Sequence, residues 1–188
     1  MAARNAMVRK PTITLHMVTS LDGFIAKHDN NVDWFETGGD VYEAGVVEDH
    51  GAEALAAIDC WVMGSHTYEL ALQLGWVYGD TPTVVVTSRP LEPSRPSVEL
   101  YSGDLEQLVR DVLAPRFKNV WLVGGAVLSQ EFLRLGLVDE INLVIIPAML
   151  GDGLRLFTNG LPERRWRLKN AIAYKSGLVE LVYAIKPT

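Results

Sequence analysis

The sequence predicts an α/β fold: a single domain with a mixed, mostly parallel central sheet flanked by helices and an antiparallel C-terminal hairpin. Three observations carry that expectation. First, three short apolar runs, at residues 60–63, 83–87 and 120–123, each end in turn residues, and helical patterns separate them. Runs of this kind read as strands buried on both faces, joined by the right-handed crossovers of a parallel sheet. Second, the last third changes character: residues 166–174 and 178–185 flank Lys175-Ser-Gly177, a hairpin signal. Third, the chain has 188 residues, 48% of them apolar, which is enough for one packed core and short for two. No repeat, low-complexity tract or linker divides it. Residues 11–188 are read as the domain and residues 1–10 as a flexible N-terminus.

Taken in order, residues 12–19 alternate loosely and read as a strand. Leu21-Asp22-Gly23 is a turn signal, followed by a short apolar run at 24–26. Residues 28–39 are polar and glycine-bearing, a loop anchored by Trp34 and Phe35. Residues 46–58 read as a helix with Val47, Gly51, Ala54, Leu55 and Ile58 on one face. The strand at 60–63 ends at Gly64-Ser65, and a helix follows over 66–74. The strand at 83–87 runs into Ser88-Arg89-Pro90, a proline-rich loop and a short strand at 98–101. Asp104 suits the N-cap of a helix reaching 113. The strand at 120–123 runs into Gly124-Gly125 and a helix to 134. A long strand covers 140–147, a turn 149–153, and the hairpin closes the chain.

Composition narrows the function classes. A net charge of −6 argues against a general nucleic-acid or anionic-membrane binder. From His28 through Ser88 there is no lysine or arginine but eleven acidic residues. A pocket built from that half has no guanidinium to clamp a phosphate or carboxylate. Anions must be held there by backbone amides, or by Arg89 and the later half. No run is long enough to span a bilayer, and the basic first ten residues lack the apolar stretch of a signal peptide. The lone Cys60 lies inside an apolar strand pattern and reads as a core thiol, so a cytoplasmic protein is expected. Four histidines without ligand spacing and one cysteine make no zinc site. No nucleophile elbow supports Ser/His hydrolysis.

The stretch Trp121-Leu-Val-Gly-Gly125, leading into Ala-Val-Leu-Ser-Gln130, is a strand, a glycine pair and a helix. Glycines remove side chains where backbone N–H groups and a helix N-terminus can approach a pyrophosphate. It is neither a G-x-G-x-x-G fingerprint nor a Walker A loop, and a ligand-free tight turn also fits the pattern.

Ser20-Leu-Asp-Gly-Phe-Ile-Ala26, Val62-Met-Gly-Ser-His-Thr-Tyr68, Val84-Val-Val-Thr-Ser-Arg-Pro90, Trp121-Leu-Val-Gly-Gly125 and Gly136-Leu-Val-Asp-Glu-Ile-Asn-Leu-Val-Ile-Ile-Pro-Ala-Met-Leu-Gly151 occur in this order. Together they resemble the dihydrofolate reductase fold. The likeness is strongest to the branch containing the reductase domain of the bifunctional riboflavin-biosynthesis deaminase-reductase and its stand-alone relatives. It covers nearly the whole chain from Ile13. It implies NADPH bound across the carboxyl ends of the strands. Gly64, Ser65, His66 and Thr67 would face the adenosine and phosphates. Thr87, Ser88 and Arg89 would line the 2′-phosphate side. Val123, Gly124, Gly125, Ala126, Val127 and Leu128 would cradle the pyrophosphate, with a cis peptide joining the glycines. Val18, Ile25 and Ala26 would bracket the nicotinamide.

The chain departs from that pattern in places. Dihydrofolate reductases proper place an arginine after the motif glycine, and here it is Ser65. Arg89 is left to supply the charge, so NADH stays open beside NADPH. On the substrate side the Pro-Trp segment and the helix aspartate are not recognisable, and Val144 replaces the threonine that partners that aspartate. Folate reduction is not expected. The family spacing back from Gly64 lands on Glu48 as a catalytic acid. A half-buried carboxyl there could pass a proton, whereas an acid in a first helical turn also needs no such role. Asp22 and Trp34 are candidate substrate-binding residues; a turn former and a core cover are the other readings.

The leading expectation is therefore an NADPH-dependent reductase acting on an unsaturated or carbonyl-type small molecule, heterocycles included. The alternative is a non-catalytic NADP(H)- or nucleotide-binding protein on the same scaffold. A homodimer is expected, with the apolar 141–150 strand as its pairing or packing surface, unless that strand is simply buried in the sheet.

Overall fold

The computed structural model describes residues 10–36, 42–47 and 55–185. Among these the strands are β1 (Thr12–Ser20), β2 (Phe24–Ala26), β3 (Cys60–Gly64), β4 (Thr83–Val86), β5 (Val98–Tyr101), β6 (Asn119–Leu122), β7 (Glu140–Ile146), β8 (Leu154–Arg155), β9 (Trp166–Ala173) and β10 (Val179–Ile185). Helix α1 spans Ser65–Gln73. Helix α2 opens at Leu105–Gln107 and widens into a π-helical stretch over Leu108–Leu113, and α3 spans Ala126–Leu135. The main sheet runs β5-β4-β3-β6-β1-β7-β10-β9. The first six of these strands pair in parallel, and β10 is antiparallel to both β7 and β9. The expected mostly parallel sheet with an antiparallel C-terminal hairpin is the observed architecture.

The apolar runs explain the burial. Along β3, Cys60 and Val62 join a core with Ile13, Leu15 and Met17 of β1, Val120 and Leu122 of β6, Leu108 and Leu113 of α2, and Phe132 of α3. The alternate residues Trp61 and Met63 join a second core with Tyr68 and Ala71 of α1, Trp76 and Val85. Successive side chains of a strand point to opposite faces, so an unbroken apolar strand serves both layers. Asp104 caps α2 by accepting from the Gln107 amide at 2.8 Å. Gly136, at φ 72°, ends α3 while the Leu137 amide donates to the Phe132 carbonyl at 2.9 Å, a left-handed stop that glycine allows.

Three features differ from the sequence reading, add to it or decide between its alternatives. The helix read from residue 46 does not begin there: Val46 forms a β-bridge with Tyr174, its amide donating to the Ala173 carbonyl and its carbonyl accepting from Lys175. On its expected apolar face Ile58 is buried, but Val47 and Leu55 are exposed; residues 48–54 lie outside the described residues. Second, β2 and β8 form a small antiparallel sheet of their own. Runs of two or three residues give no usable period. Third, β7 lies inside the sheet between β1 and β10. Its backbone groups are spent on both neighbours, so it cannot pair edge to edge with a second copy.

Phe132 is completely buried at the centre of the first core. Its replacement by alanine should lower the unfolding free energy in urea by about 3–5 kcal/mol. A loss below about 1 kcal/mol would show that the site collapses around the missing ring.

Candidate functional site

The parallel strands bring their carboxyl ends to one edge of the sheet, and the candidate residues that follow β3, β4 and β6 lie there. The Gly64 amide donates to the Gly124 carbonyl at 2.8 Å, which ties the end of β3 to the residues after β6. A Cβ on Gly64 would lie 3.6 Å from the Gly125 nitrogen. A Cβ on Gly124 would lie 3.3 Å from Thr67 Oγ1 and 3.6 Å from Met17 Sδ, and Gly124 has φ +115°, a value side-chain-bearing residues rarely adopt. The Gly124–Gly125 peptide is cis. Helix α1 starts from Gly64 and α3 from Gly125, and neither start has a side-chain cap. The first amides of each helix, Ser65–Thr67 and Ala126–Leu128, have no intrahelical acceptor. Two helix N-termini therefore open beside one side-chain-free junction, each carrying about half a positive charge.

Thr87, Ser88 and Arg89 follow β4 on the same edge. The Arg89 amide donates to Thr87 Oγ1 at 3.0 Å. The Arg89 guanidinium does not stand alone: it lies 2.7 Å from Glu69 Oε2 on α1. His66 and Val127 are exposed, and Val127 joins Leu21 and Met149 as large apolar side chains left in solvent at the strand ends. Val123 donates its amide to the Val62 carbonyl. Val18 is half-buried opposite Val144, whereas Ile25 and Ala26 are buried in β2. Ile25 belongs to the first core, which leaves its backbone as the part nearest any ligand.

Asp22 is fully engaged in shaping this edge. It accepts from Ser20 Oγ at 2.5 Å and from the Leu150 and Gly151 amides at 3.2 and 2.7 Å. The Ser20 hydroxyl, followed by those amides, holds the carboxyl down at about 2 despite some desolvation. The residue latches the turn after β1 to the loop after β7. Trp34 packs edge-on against Phe35 at 4.6 Å, and its indole Nε1 is buried with no hydrogen-bond partner. Glu48 lies outside the described residues. Burial pushes the Cys60 thiol up to about 12, consistent with an inert core thiol. Among the described residues no group of three His, Cys, Asp or Glu could hold a metal ion, and no helix is long and apolar enough to cross a membrane.

The sequence reading missed one polar network. His16, two residues before Val18 on the same face of β1, stands opposite Asn142 and stacks on Trp121 at 4.7 Å. His16 Nδ1 and Asn142 Oδ1 are buried without another partner. Asn142 Nδ2 donates to Glu180 at 2.7 Å, and Tyr174 donates to the other oxygen of that carboxylate. Burial lowers the His16 pKa, against the opposing pull of Glu180 and Asn142. The available signal was a histidine and an asparagine at inward positions of apolar strands.

Comparison with known proteins identifies the family and the fold. The family model of the RibD C-terminal domain matches residues 60–180. The chain belongs to the RibD C-terminal domain family. Within curated proteins, it is 30% identical to the uncharacterised protein YwjB of Bacillus subtilis over 157 residues, covering 82% of this chain and 87% of that one. It is 27% identical to YyaP of the same organism, covering 94% and 96%. Among solved structures it resembles a putative riboflavin biosynthesis protein from Shewanella sp. PV-4, with a TM-score of 0.81 and 25% identity, covering 94% of this chain and 99% of that one. It shares its fold with a pyrimidine reductase-like protein from Corynebacterium diphtheriae at a TM-score of 0.64 and 16% identity, covering 95% and 93%. The fold also matches a diaminohydroxyphosphoribosylaminopyrimidine deaminase/5-amino-6-(5-phosphoribosylamino)uracil reductase from Thermotoga maritima at a TM-score of 0.66 and 16% identity. There the match covers 94% of this chain and 57% of the other. The RibD C-terminal fold is thus the riboflavin-biosynthesis reductase-like architecture on which this site is built.

The buried network sets a pH response for this family member. The unfolded chain takes up a proton at His16 near its ordinary value of 6.5, while the folded chain resists it. The stability contributed by the neutral ring is complete above that value and falls as the pH drops through it. Urea unfolding should show a smaller loss of stability in His16→Gln than in wild type between about pH 7 and about pH 5. Equal losses would contradict a neutral buried imidazole.

Proposed function

We propose that the chain is an NADPH-dependent reductase acting on an unsaturated or carbonyl-type small molecule, heterocycles included, in the manner of riboflavin-biosynthesis reductases. The supporting observation is the junction at Gly64, Gly124 and Gly125, where two uncapped helix starts face a space that any Cβ would narrow. Backbone amides and helix dipoles suit a pyrophosphate there without a cation. Ser65, His66 and Thr67 would hold the adenosine side, Ala126, Val127 and Leu128 the pyrophosphate, and Arg89 with Thr87 and Ser88 the 2′-phosphate. Bound in this way, the reduced nicotinamide supplies a hydride equivalent.

The chain's own residues do the rest. Val18, with the backbone of Ile25 and Ala26, would form the floor under the nicotinamide. Asp22 would shape the substrate side by holding the loop after β7 in place, and Trp34 would contribute its ring to the substrate side. Glu48 or solvent would provide the proton that accompanies hydride transfer. The absence of lysine and arginine from 28 through 88 favours a substrate that is neutral or cationic on that side. Homodimerisation belongs to the same proposal, through sheet faces and not through β7 pairing; sedimentation equilibrium measures it.

Titration of the protein with NADPH, followed by nicotinamide fluorescence, should give saturable binding. Gly125→Val should weaken that binding by about a hundredfold, equivalent to about 2.8 kcal/mol. A Cβ there meets nothing closer than Thr67 Oγ1 at 3.5 Å, so urea unfolding of the variant should remain cooperative. No binding of NADPH or NADH at millimolar concentration would overturn the reductase reading.

A further inference from the structure

Arg89 is the first cation after Lys27 in the sequence, and its guanidinium is already engaged. Arg89 and Glu69 face each other at 2.7 Å, both side chains about 40% exposed, at 44% and 38%. Glu69 lies four residues into α1 from Ser65, and Arg89 lies two residues beyond Thr87, whose hydroxyl accepts from the Arg89 amide and shapes that turn. A carboxylate and a guanidinium thus meet beside the helix start assigned to the adenosine half of the cofactor. These groups recognise opposite chemistry. A carboxylate accepts a hydrogen bond from a free ribose 2′-hydroxyl, and a guanidinium pairs with a 2′-phosphate. The first turn of α1, Ser65-His66-Thr67, contains no lysine or arginine to add to Arg89.

We propose that Glu69 sets the choice between phosphorylated and unphosphorylated nicotinamide cofactors by competing with a 2′-phosphate for Arg89. The inference rests on the reductase reading for the identity of the ligand. A 2′-phosphate that reaches Arg89 must share or displace the Glu69 carboxylate, which then faces a second anion. A 2′-hydroxyl leaves the pair intact and can donate to Glu69. The site therefore takes NADH beside NADPH and discriminates only weakly between them. Because both groups are substantially exposed, salt screens the competition and its size stays modest.

The test uses the full chain and two adenosine fragments, 2′,5′-ADP and 5′-AMP, with NADPH and NADH in parallel, by titration calorimetry at low and high salt. Glu69→Gln should tighten 2′,5′-ADP by about threefold relative to 5′-AMP, with a smaller gain at high salt. Arg89→Gln should weaken 2′,5′-ADP and leave 5′-AMP nearly unchanged. Wild-type binding of all four ligands, with the 2′,5′-ADP to 5′-AMP ratio unmoved in Glu69→Gln, would overturn the role of Glu69 and leave the reductase reading standing. Failure of wild type to bind NADPH or NADH would overturn that reading and this inference with it.

Discussion

Gly64 and Gly124 meet backbone to backbone, and the rest of the site depends on that meeting. Their hydrogen bond is 2.8 Å long, and no side chain separates the end of β3 from the turn that follows β6. A side chain on Gly124 would press on Thr67 and Met17 and would need a backbone conformation that only glycine adopts freely. The contact extends the β3–β6 ladder past its last strand pair, and α1 and α3 start from its two sides. The two helix starts and the glycine turn are thereby held against one another at the strand ends.

The electrostatics follow from the same economy of side chains. The strand ends offer helix dipoles and first-turn amides, with Arg89 partnered by Glu69. Carboxylates nearby are tied down: Asp22 is saturated by a hydroxyl and two amides, and His28 pairs with Asp152 at 3.1 Å. Further down the sheet, His16, Asn142, Glu180 and Tyr174 form a connected polar patch within an otherwise apolar face. The Asn142–Glu180 bond ties β7 to β10 within this patch, while His16 Nδ1 and Asn142 Oδ1 stay buried without a partner.

Much of this was legible in the sequence, and the legible parts share a cause. Strands β3, β4 and β6 are continuous apolar runs because they are buried on both faces, and each ends at a turn residue that also begins the site. The hairpin of β9 and β10 declared itself through Lys175-Ser-Gly177. Short-range signals of that kind cannot carry β2 and β8, whose pairing depends on a contact between segments about 130 residues apart. Nor can they show that Val46 bridges to Tyr174. The Arg89–Glu69 pair joins helix α1 to the turn after β4, so charge counting found the scarcity of cations without finding the partner. His16 and Asn142 were visible as residues yet read as ordinary strand positions, because only the register of β1 on β7 places them together.

The central claim is that the two helix starts around the glycine junction form one anion-binding cradle for a dinucleotide. Backbone amide chemical shifts of the 15N-labelled protein, recorded while NADPH is added, address it residue by residue. The largest shifts should fall at Ser65, His66 and Thr67 together with Gly125, Ala126, Val127 and Leu128, saturating at a common concentration. Shifts confined to one helix start, or centred on another face of the sheet, would contradict it.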